Sequence, residues 1–194
     1  MKKGAEPAPI LRAQRVILRP PRESDEQDRL ACGRHPEYVR MVGGDYRSLR
    51  PLTLAEVKRS YRRLQADQFG WSVEYTGRCI GSARLHGLVQ ADQRASYAIG
   101  IWDSKVWGQG LGTEVTRLVL RYAFERLRLH RVSLRVLAYN HRAIRCYEKC
   151  GFVREGVERE SALVAGEWHD DFIMGILQQE YREQSASGGP LDES

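Results

Sequence analysis

Three glycines at alternate positions, Gly108, Gly110 and Gly112, punctuate the stretch Trp107-Gly108-Gln109-Gly110-Leu111-Gly112-Thr113, just ahead of an amphipathic run that begins at Leu111. Glycine lets a backbone come close to a bulky anion, and the first N–H groups of a helix, with its dipole behind them, favour negative charge. The backbone N–H groups from Trp107 through Thr113 are therefore candidates to hold a phosphate or pyrophosphate. A dinucleotide fingerprint needs G-x-G-x-x-G straight after a strand, and a Walker loop closes on Gly-Lys-Ser or Gly-Lys-Thr. This loop does neither, and Asp103-Ser104-Lys105 separate it from the strand before it. Taken alone, the glycines could equally make only a tight strand-to-helix turn.

A second constellation lies downstream. Residues 141–150 read as a helix with Asn140 as its cap, ended by Gly151. Asn140 and Tyr147 project from nearly the same face of it, about 10 Å apart along the axis. A phenol of pKa about 10 stays protonated at neutral pH and can donate a hydrogen bond or a proton. A tyrosine at that spacing also suits plain core packing. Arg142 and Arg145 could reach phosphates or line a solvated face. Cys146 and Cys150 stand four residues apart on one face, but without converging histidines they read as small semi-buried thiols, not a metal site. With Cys32 and Cys79 they form no C-x-x-C pair, so no disulfide framework is expected.

The loop Trp107-Gly108-Gln109-Gly110-Leu111-Gly112-Thr113 and the later Asn140-x-Arg142-Ala143-Ile144-x-x-Tyr147-Glu148-Lys149-x-Gly151-Phe152 together resemble the GNAT superfamily of acetyl-CoA-dependent N-acetyltransferases. Within it the chain looks most like the branch of ribosomal-protein N-terminal and spermidine N-acetyltransferases. The resemblance covers residues 14–177, including the opening Arg15-Val16-Ile17-Leu18-Arg19-Pro20 and the closing Gly166-Glu167-Trp168-His169-Asp170. It implies acetyl-CoA as co-substrate and transfer of the acetyl group to a primary amine by direct attack on the thioester. It also implies two central parallel strands that splay apart, with the pantetheine arm bonded along the open edge by Gly100, Ile101 and Trp102. A main-chain N–H near Ile101 would face the thioester oxygen. Asn140 would bond a pantetheine amide, Arg142, Ala143 and Arg145 would meet the cofactor, and Tyr147 would protonate the departing thiolate. The superfamily usually carries Gln or Arg where Trp107 stands, which removes a side-chain donor but leaves the backbone ones.

A base for the incoming ammonium is expected at Glu74, with Asp103 as a second candidate and Tyr97 able to position a water; each also reads as structural or exposed. The acceptor is less legible. A protein N-terminus needs an open groove, whereas a polyamine or aminoglycoside needs an acidic lining, for which Glu37, Asp45, Glu56 and Glu74 are the candidates. A net charge of +6 gives polycations no long-range help, so a peptide N-terminus or small monoamine ranks ahead. An acetyl-CoA sensor without turnover would have no need of Tyr147. The scattered arginines, with no basic run interleaved with aromatics, give no reason to expect a nucleic-acid partner.

These residues need a frame. The 194 residues, 42% of them hydrophobic, suggest one acetyltransferase domain at 10–183 between a flexible leader, 1–9, and a disordered tail, 184–194. No apolar run approaches the roughly 18 residues that span a bilayer, and the leader lacks a signal-peptide core, so no membrane partner is expected and a cytoplasmic location follows. Alternation predicts a strand at 15–19 ended by Pro20-Pro21, and a helix is expected at 24–34. Residues 36–52 read as a substrate-contacting loop. Thr53-Leu54-Ala55-Glu56 is a capping box opening a helix with Leu54, Val57, Tyr61 and Leu64 at helical spacing. Strands at 71–75 and 79–85 form a hairpin, and a strand at 94–102 leads into the glycine loop. A helix at 111–127 then crosses to a parallel strand at 132–137. Strands at 152–156, 161–164 and 168–177 finish an α+β fold, a mixed twisted β-sheet with splayed central parallel strands and helices on both faces. In the family the helices at 24–34 and 53–70 wall the acceptor site, and an exposed C-terminal strand could pair across a homodimer.

Overall fold

In the computed structural model, which describes residues 8–187, alternating apolar and polar residues build eight strands. These are β1 (Leu11–Arg12), β2 (Val16–Arg19), β3 (Phe69–Tyr75), β4 (Arg78–Val89), β5 (Arg94–Ile101), β6 (Arg131–Leu137), β7 (Val153–Val164) and β8 (Glu167–Leu177). They form one sheet in the order β1-β2-β3-β4-β5-β6-β8-β7. Every neighbouring pair is antiparallel except β5 and β6, which run parallel. That parallel pairing covers only Arg94, Ala95 and Ser96 opposite Arg131, Val132 and Ser133. Past Ser96 the two strands stop pairing while β5 runs on to Ile101 and β6 to Leu137. The sheet therefore opens at its centre, as the family resemblance implied.

Helices cover both faces. On one, α4 (Leu111–Arg121), prolonged by a π turn at Tyr122–Arg126, buries Leu111, Val115, Leu118 and Val119 against Val16, Leu18, Trp71, Val73, Tyr97, Val132, Met174 and Ile176. Each such side chain contributes about 1.5–3 kcal/mol on leaving water. α5 (His141–Glu148) and α6 (Gln178–Ser187) belong to the same side, through Ile144, Tyr147 and Tyr181.

On the other face lie α1 (Asp25–Cys32) and α3 (Leu54–Ala66). The capping box forms: Glu56 N–H donates to Thr53 Oγ1 at 3.3 Å and Thr53 N–H to Glu56 Oε2 at 2.9 Å. Val57, Tyr61 and Leu64 are buried, whereas Leu54, at N1, faces solvent. Beneath them sits a polar cluster. Arg19 sends Nη1 and Nη2 to the Asp25 carboxylate at 2.9 and 2.6 Å, Ser72 Oγ donates to it at 2.7 Å, and Tyr61 Oη donates to the Asp25 carbonyl at 3.2 Å.

Four expectations change. The stretch 36–52 holds a short helix, α2 (Pro36–Met41), opened by a proline at its first position. β7 is one continuous strand where two were expected, with irregularities between Arg154 and Gly156 and between Glu158 and Ala162. Within the supposed leader, Ala8 is buried and the Pro9 carbonyl accepts from Trp71 Nε1 at 2.7 Å, while residues 1–7 lie outside the described residues. Residues 184–187 belong to α6 and not to a coil tail; residues 188–194 again lie outside. Among the described residues no helix is long and apolar enough to cross a membrane.

Candidate active site

A cleft of about 780 Å³ follows the opening between β5 and β6 and ends at the glycine loop. Its loop end is shaped by backbone conformation. Gly108 and Gly110 have φ of +77° and +79°, a region other residues rarely enter, and Gly110 caps α4 in that state. Thr113 and Glu114 N–H turn back to the Gly110 carbonyl. The N–H groups of Gly108, Gln109, Gly110, Leu111 and Gly112 have no acceptor among the described residues. Open amides at a helix start, with Arg142, Arg145 and Lys149 also lining the cleft, fit a pyrophosphate.

Along the open edge, the structure separates the three strand residues proposed for the pantetheine arm. The Trp102 N–H is spent on the Ile80 carbonyl of β4 at 3.0 Å, and Gly100 pairs with Ser82 of the same strand. Strand alternation then turns the N–H and C=O of Ile101 toward the opening. Trp107 Nε1 donates to that Ile101 carbonyl at 2.8 Å. With its backbone N–H turned to the Ser104 carbonyl at 3.3 Å, Trp107 braces the loop against the strand. Gly100 serves the cleft by its missing side chain, since a Cβ there would stand 2.5 Å from the Tyr38 hydroxyl. Trp102 does not line the cleft; it is buried under the Arg29 guanidinium.

Gln109 also stays outside. Its carbonyl accepts from Arg15 Nη1 at 2.9 Å and its side chain reaches back to the Lys105 carbonyl at 3.3 Å. Trp107, Gly108, Gly110, Leu111, Gly112, Thr113, Asn140, Arg142, Ala143, Arg145 and Tyr147 all line the cleft. The Tyr147 ring packs edge-on to Tyr97 and Phe152, and its hydroxyl has no hydrogen bond among the described residues. Burial raises its pKa, so the phenol holds its proton. Asn140 accepts from Ala143 N–H at 3.2 Å as the cap of α5, and its amide donates to the Met41 carbonyl of α2 at 3.1 Å. The Arg142 guanidinium lies 4.0 Å over the Trp107 ring and pairs with Glu37 at 3.1 Å.

The expected base fails on position. Glu74 does not line the cleft; it is ion-paired to Arg19 in the polar cluster under α1 and α3, because its place in β3 points it to that face. Asp103 is buried, accepts from Lys105 N–H at 3.0 Å and also stays outside the cleft. The Tyr97 hydroxyl is engaged with Thr116 Oγ1 at 3.0 Å. Tyr38, Met41 and Val42, from the stretch 36–52 read as substrate-contacting, line the remainder together with three residues not anticipated from the sequence, Arg84 from β4, Arg135 from β6 and Asp171 from β8. Asp171 accepts from Arg135 Nη2 at 2.7 Å and from Ser161 Oγ at 2.9 Å.

Comparison with known proteins agrees with this geometry. A family model described as acetyltransferase (GNAT) domain matches residues 15–153. The Bacillus subtilis protein YdaF, named provisionally as a ribosomal N-acetyltransferase, is 32% identical over 133 residues, covering 68% of this chain and 70% of its own. YjcK of the same organism, named as a probable N-acetyltransferase, is 33% identical over 118 residues, 59% of this chain and 65% of its own, so the match spans just under two thirds of that relative. Among solved structures, the Vibrio cholerae spermidine N-acetyltransferase in complex with CoA and spermine superposes with a TM-score of 0.72 at 24% identity, covering 87% of this chain and 98% of that one. At that identity the likeness speaks for the fold.

Proposed function

The chain belongs to the GNAT acetyltransferase family, and we propose that it moves an acetyl group from acetyl-CoA to the primary amine of a peptide or protein N-terminus, or of a small monoamine, by direct attack of the amine on the thioester. The observation that carries this reading is the Tyr147 hydroxyl. It has no hydrogen bond among the described residues, is buried enough to keep its proton, and is set in the same cleft as the glycine cradle. A site built only to bind the coenzyme would not need it.

The parts divide the work. The amides of Gly108, Gly110 and Gly112, with Arg145 and Lys149, hold the pyrophosphate. The Ile101 N–H, turned to the opening, is placed to bond the carbonyl arm of the bound coenzyme and to favour negative charge developing on its oxygen. Tyr147 gives its proton to the sulfur as the C–S bond breaks. Acetyl-CoA supplies the activated acetyl group. Asp171, the one carboxylate lining the cleft among the described residues, is held by Arg135 and Ser161, so the amine's proton passes to water.

The acceptor half of the cleft presents Arg84, paired with Asp67, and Arg135, paired with Asp171 and Glu158, with Tyr38, Met41 and Val42 as its apolar wall. Its one carboxylate is already engaged, so such a lining has little to neutralise a polycation and suits one amine on an apolar body. Titration with acetyl-CoA, followed by thiol release and a mass gain of one acetyl group on free-N-terminal peptides, simple monoamines and spermidine, tests the reading. Turnover is expected with a peptide or monoamine. Spermidine outpacing all of them would overturn the acceptor assignment, and no affinity for acetyl-CoA would overturn the whole.

A further inference from the structure

We propose that Cys146 is a site of reversible oxidation at the phosphate end of the cleft, attacked by a hydroperoxide and resolved by Cys150, and that the resulting disulfide loosens the grip on the coenzyme; the second half rests on reading this cleft as an acetyl-CoA site. The two thiols share one face of α5 and its exit turn. Cys146 is half-buried and lines the cleft, whereas Cys150 is buried behind it. Both are tied to the same cradle residue: Cys146 Sγ lies 3.4 Å from Thr113 Oγ1, and Cys150 Sγ meets the Thr113 carbonyl at 3.6 Å. A Cβ on Gly112 would stand 3.6 Å from Cys146 Sγ. The thiol therefore sits against the first turn of α4, where a helix start favours a thiolate.

Its partners favour the thiolate too. Cys150 beside it lowers the Cys146 pKa; burial opposes this, and the hydroxyls of Thr113 and Thr116 and the nearby Lys149 reinforce the lowering. The other two cysteines differ. Burial raises the thiol pKa of both Cys32 and Cys79, neither lines the cleft, and Cys79 is fully buried.

The chemistry balances without an unnamed reagent. The Cys146 thiolate attacks one oxygen of the hydroperoxide, the O–O bond breaks, sulfur loses two electrons to become a sulfenic acid, and the released oxygen leaves as water or an alcohol. Cys150 sulfur then attacks the sulfenyl sulfur; the S–S bond forms, the S–O bond breaks, and hydroxide leaves with the Cys150 proton as water. Side chains four apart on a helix have Cβ atoms about 5–6 Å apart, and a disulfide needs about 3.5–4.5 Å. The gap can close because α5 ends at Glu148. Cys150 N–H already turns back to the Tyr147 carbonyl at 2.9 Å in a tighter, one-residue-shorter turn, and Gly151 follows with φ +92°. Closure withdraws both sulfurs from Thr113, and with them the packing that holds this corner of the cradle.

The test uses the full chain and hydrogen peroxide. Peptide mapping should find a Cys146–Cys150 disulfide, and dimedone should label Cys146 in Cys150→Ser, where the sulfenic acid has no resolving thiol. The Kd for acetyl-CoA should weaken about tenfold on oxidation, the scale of one lost charge-assisted hydrogen bond, and recover with dithiothreitol. Cys146→Ser, with Cys146→Ala as a second variant, should lose the response to peroxide, and Cys32→Ser should keep it. No dimedone adduct at Cys146, a mapped disulfide with unchanged Kd, or a response that survives in both Cys146 variants would overturn the proposal. Mapping needs no coenzyme, so a reduced chain that never binds acetyl-CoA would sink the functional reading while the thiol pair was still judged on its own.

Discussion

The Tyr147 ring is wedged between Tyr97 and Phe152, with centroids 6.4 and 5.8 Å away, which fixes the phenol in the wall of the cleft. Tyr147→Phe keeps that wedge and removes only the proton. The expected result is a kcat reduced about 10²- to 10⁴-fold with the Kd of acetyl-CoA within a few-fold of wild type, separated by comparing steady-state rates with equilibrium titration. An unchanged kcat would remove the tyrosine from the chemistry. Because burial raises this phenol's pKa, the rate should climb with pH as the acceptor amine loses its proton, with no fall from Tyr147 below about pH 10. Helical spacing puts Tyr147 and Asn140 on nearly one face, but it was the family motif around them that singled them out from plain core packing. Spacing was not enough for Glu74, because a carboxylate in a strand carries no mark of which sheet face it will take, and β3 turns it to Arg19. Nor could it show that Trp107, read as a lost phosphate donor, aims its indole N–H at Ile101.

At the scale of elements, α2 is the piece the sequence hid and the site depends on. Six residues are less than two turns, too few for a 3.6-residue period to show, and none of them is buried. What holds α2 is tertiary. Tyr139 Oη donates to the Arg40 carbonyl at 2.7 Å, Asn140 Nδ2 to the Met41 carbonyl at 3.1 Å, and Arg142 pairs with Glu37 while His35 packs edge-on to Trp107 at 5.0 Å. The element that carries Tyr38 to the cleft is thus anchored on the start of α5 and on the glycine loop. Asn140→Ala removes the cap of α5 and one anchor of α2 together. It should cost about 1–2 kcal/mol in thermal or denaturant unfolding and raise KM for the amine more than for acetyl-CoA, because the helix that moves walls the acceptor half. Equal changes in both KM values would argue that α2 does not shape acceptor binding. The long elements were legible: α4 and the capping box of α3 rest on local chemistry. β7 was divided in two because its irregularities at Gly156 and before Ala162 break the alternation that marks a strand, although the pairing with β8 continues past them.

Across the whole molecule the two faces of the sheet are sealed by different physics. Under α4 the seal is apolar and insensitive to pH. Under α1 and α3 it is the cluster around Arg19 and Asp25, which are 4% and 0% exposed. Burial pushes the Asp25 carboxyl up, but hydrogen bonds from Arg19, the Arg22 N–H and Ser72 outweigh it, so its pKa lies below the ordinary value. The sign follows from that depression. A carboxyl with a lower pKa folded than unfolded contributes its full stability above the unfolded value, about 3.9, and loses it as pH falls through the folded one. Unfolding free energy should therefore show no slope from this group between neutral pH and about pH 4 and should drop in more acid solution. Asp25→Asn keeps the shape but leaves Arg19 with Glu74 as its remaining carboxylate. It should cost about 3 kcal/mol at pH 7, the low end for breaking a buried pair, and flatten the acid limb of the stability curve, since the group that titrates is gone. Denaturant melts of both proteins from pH 3 to 7 decide it: parallel curves would mean that the acid sensitivity lies elsewhere and that this face, like the other, is held by packing alone.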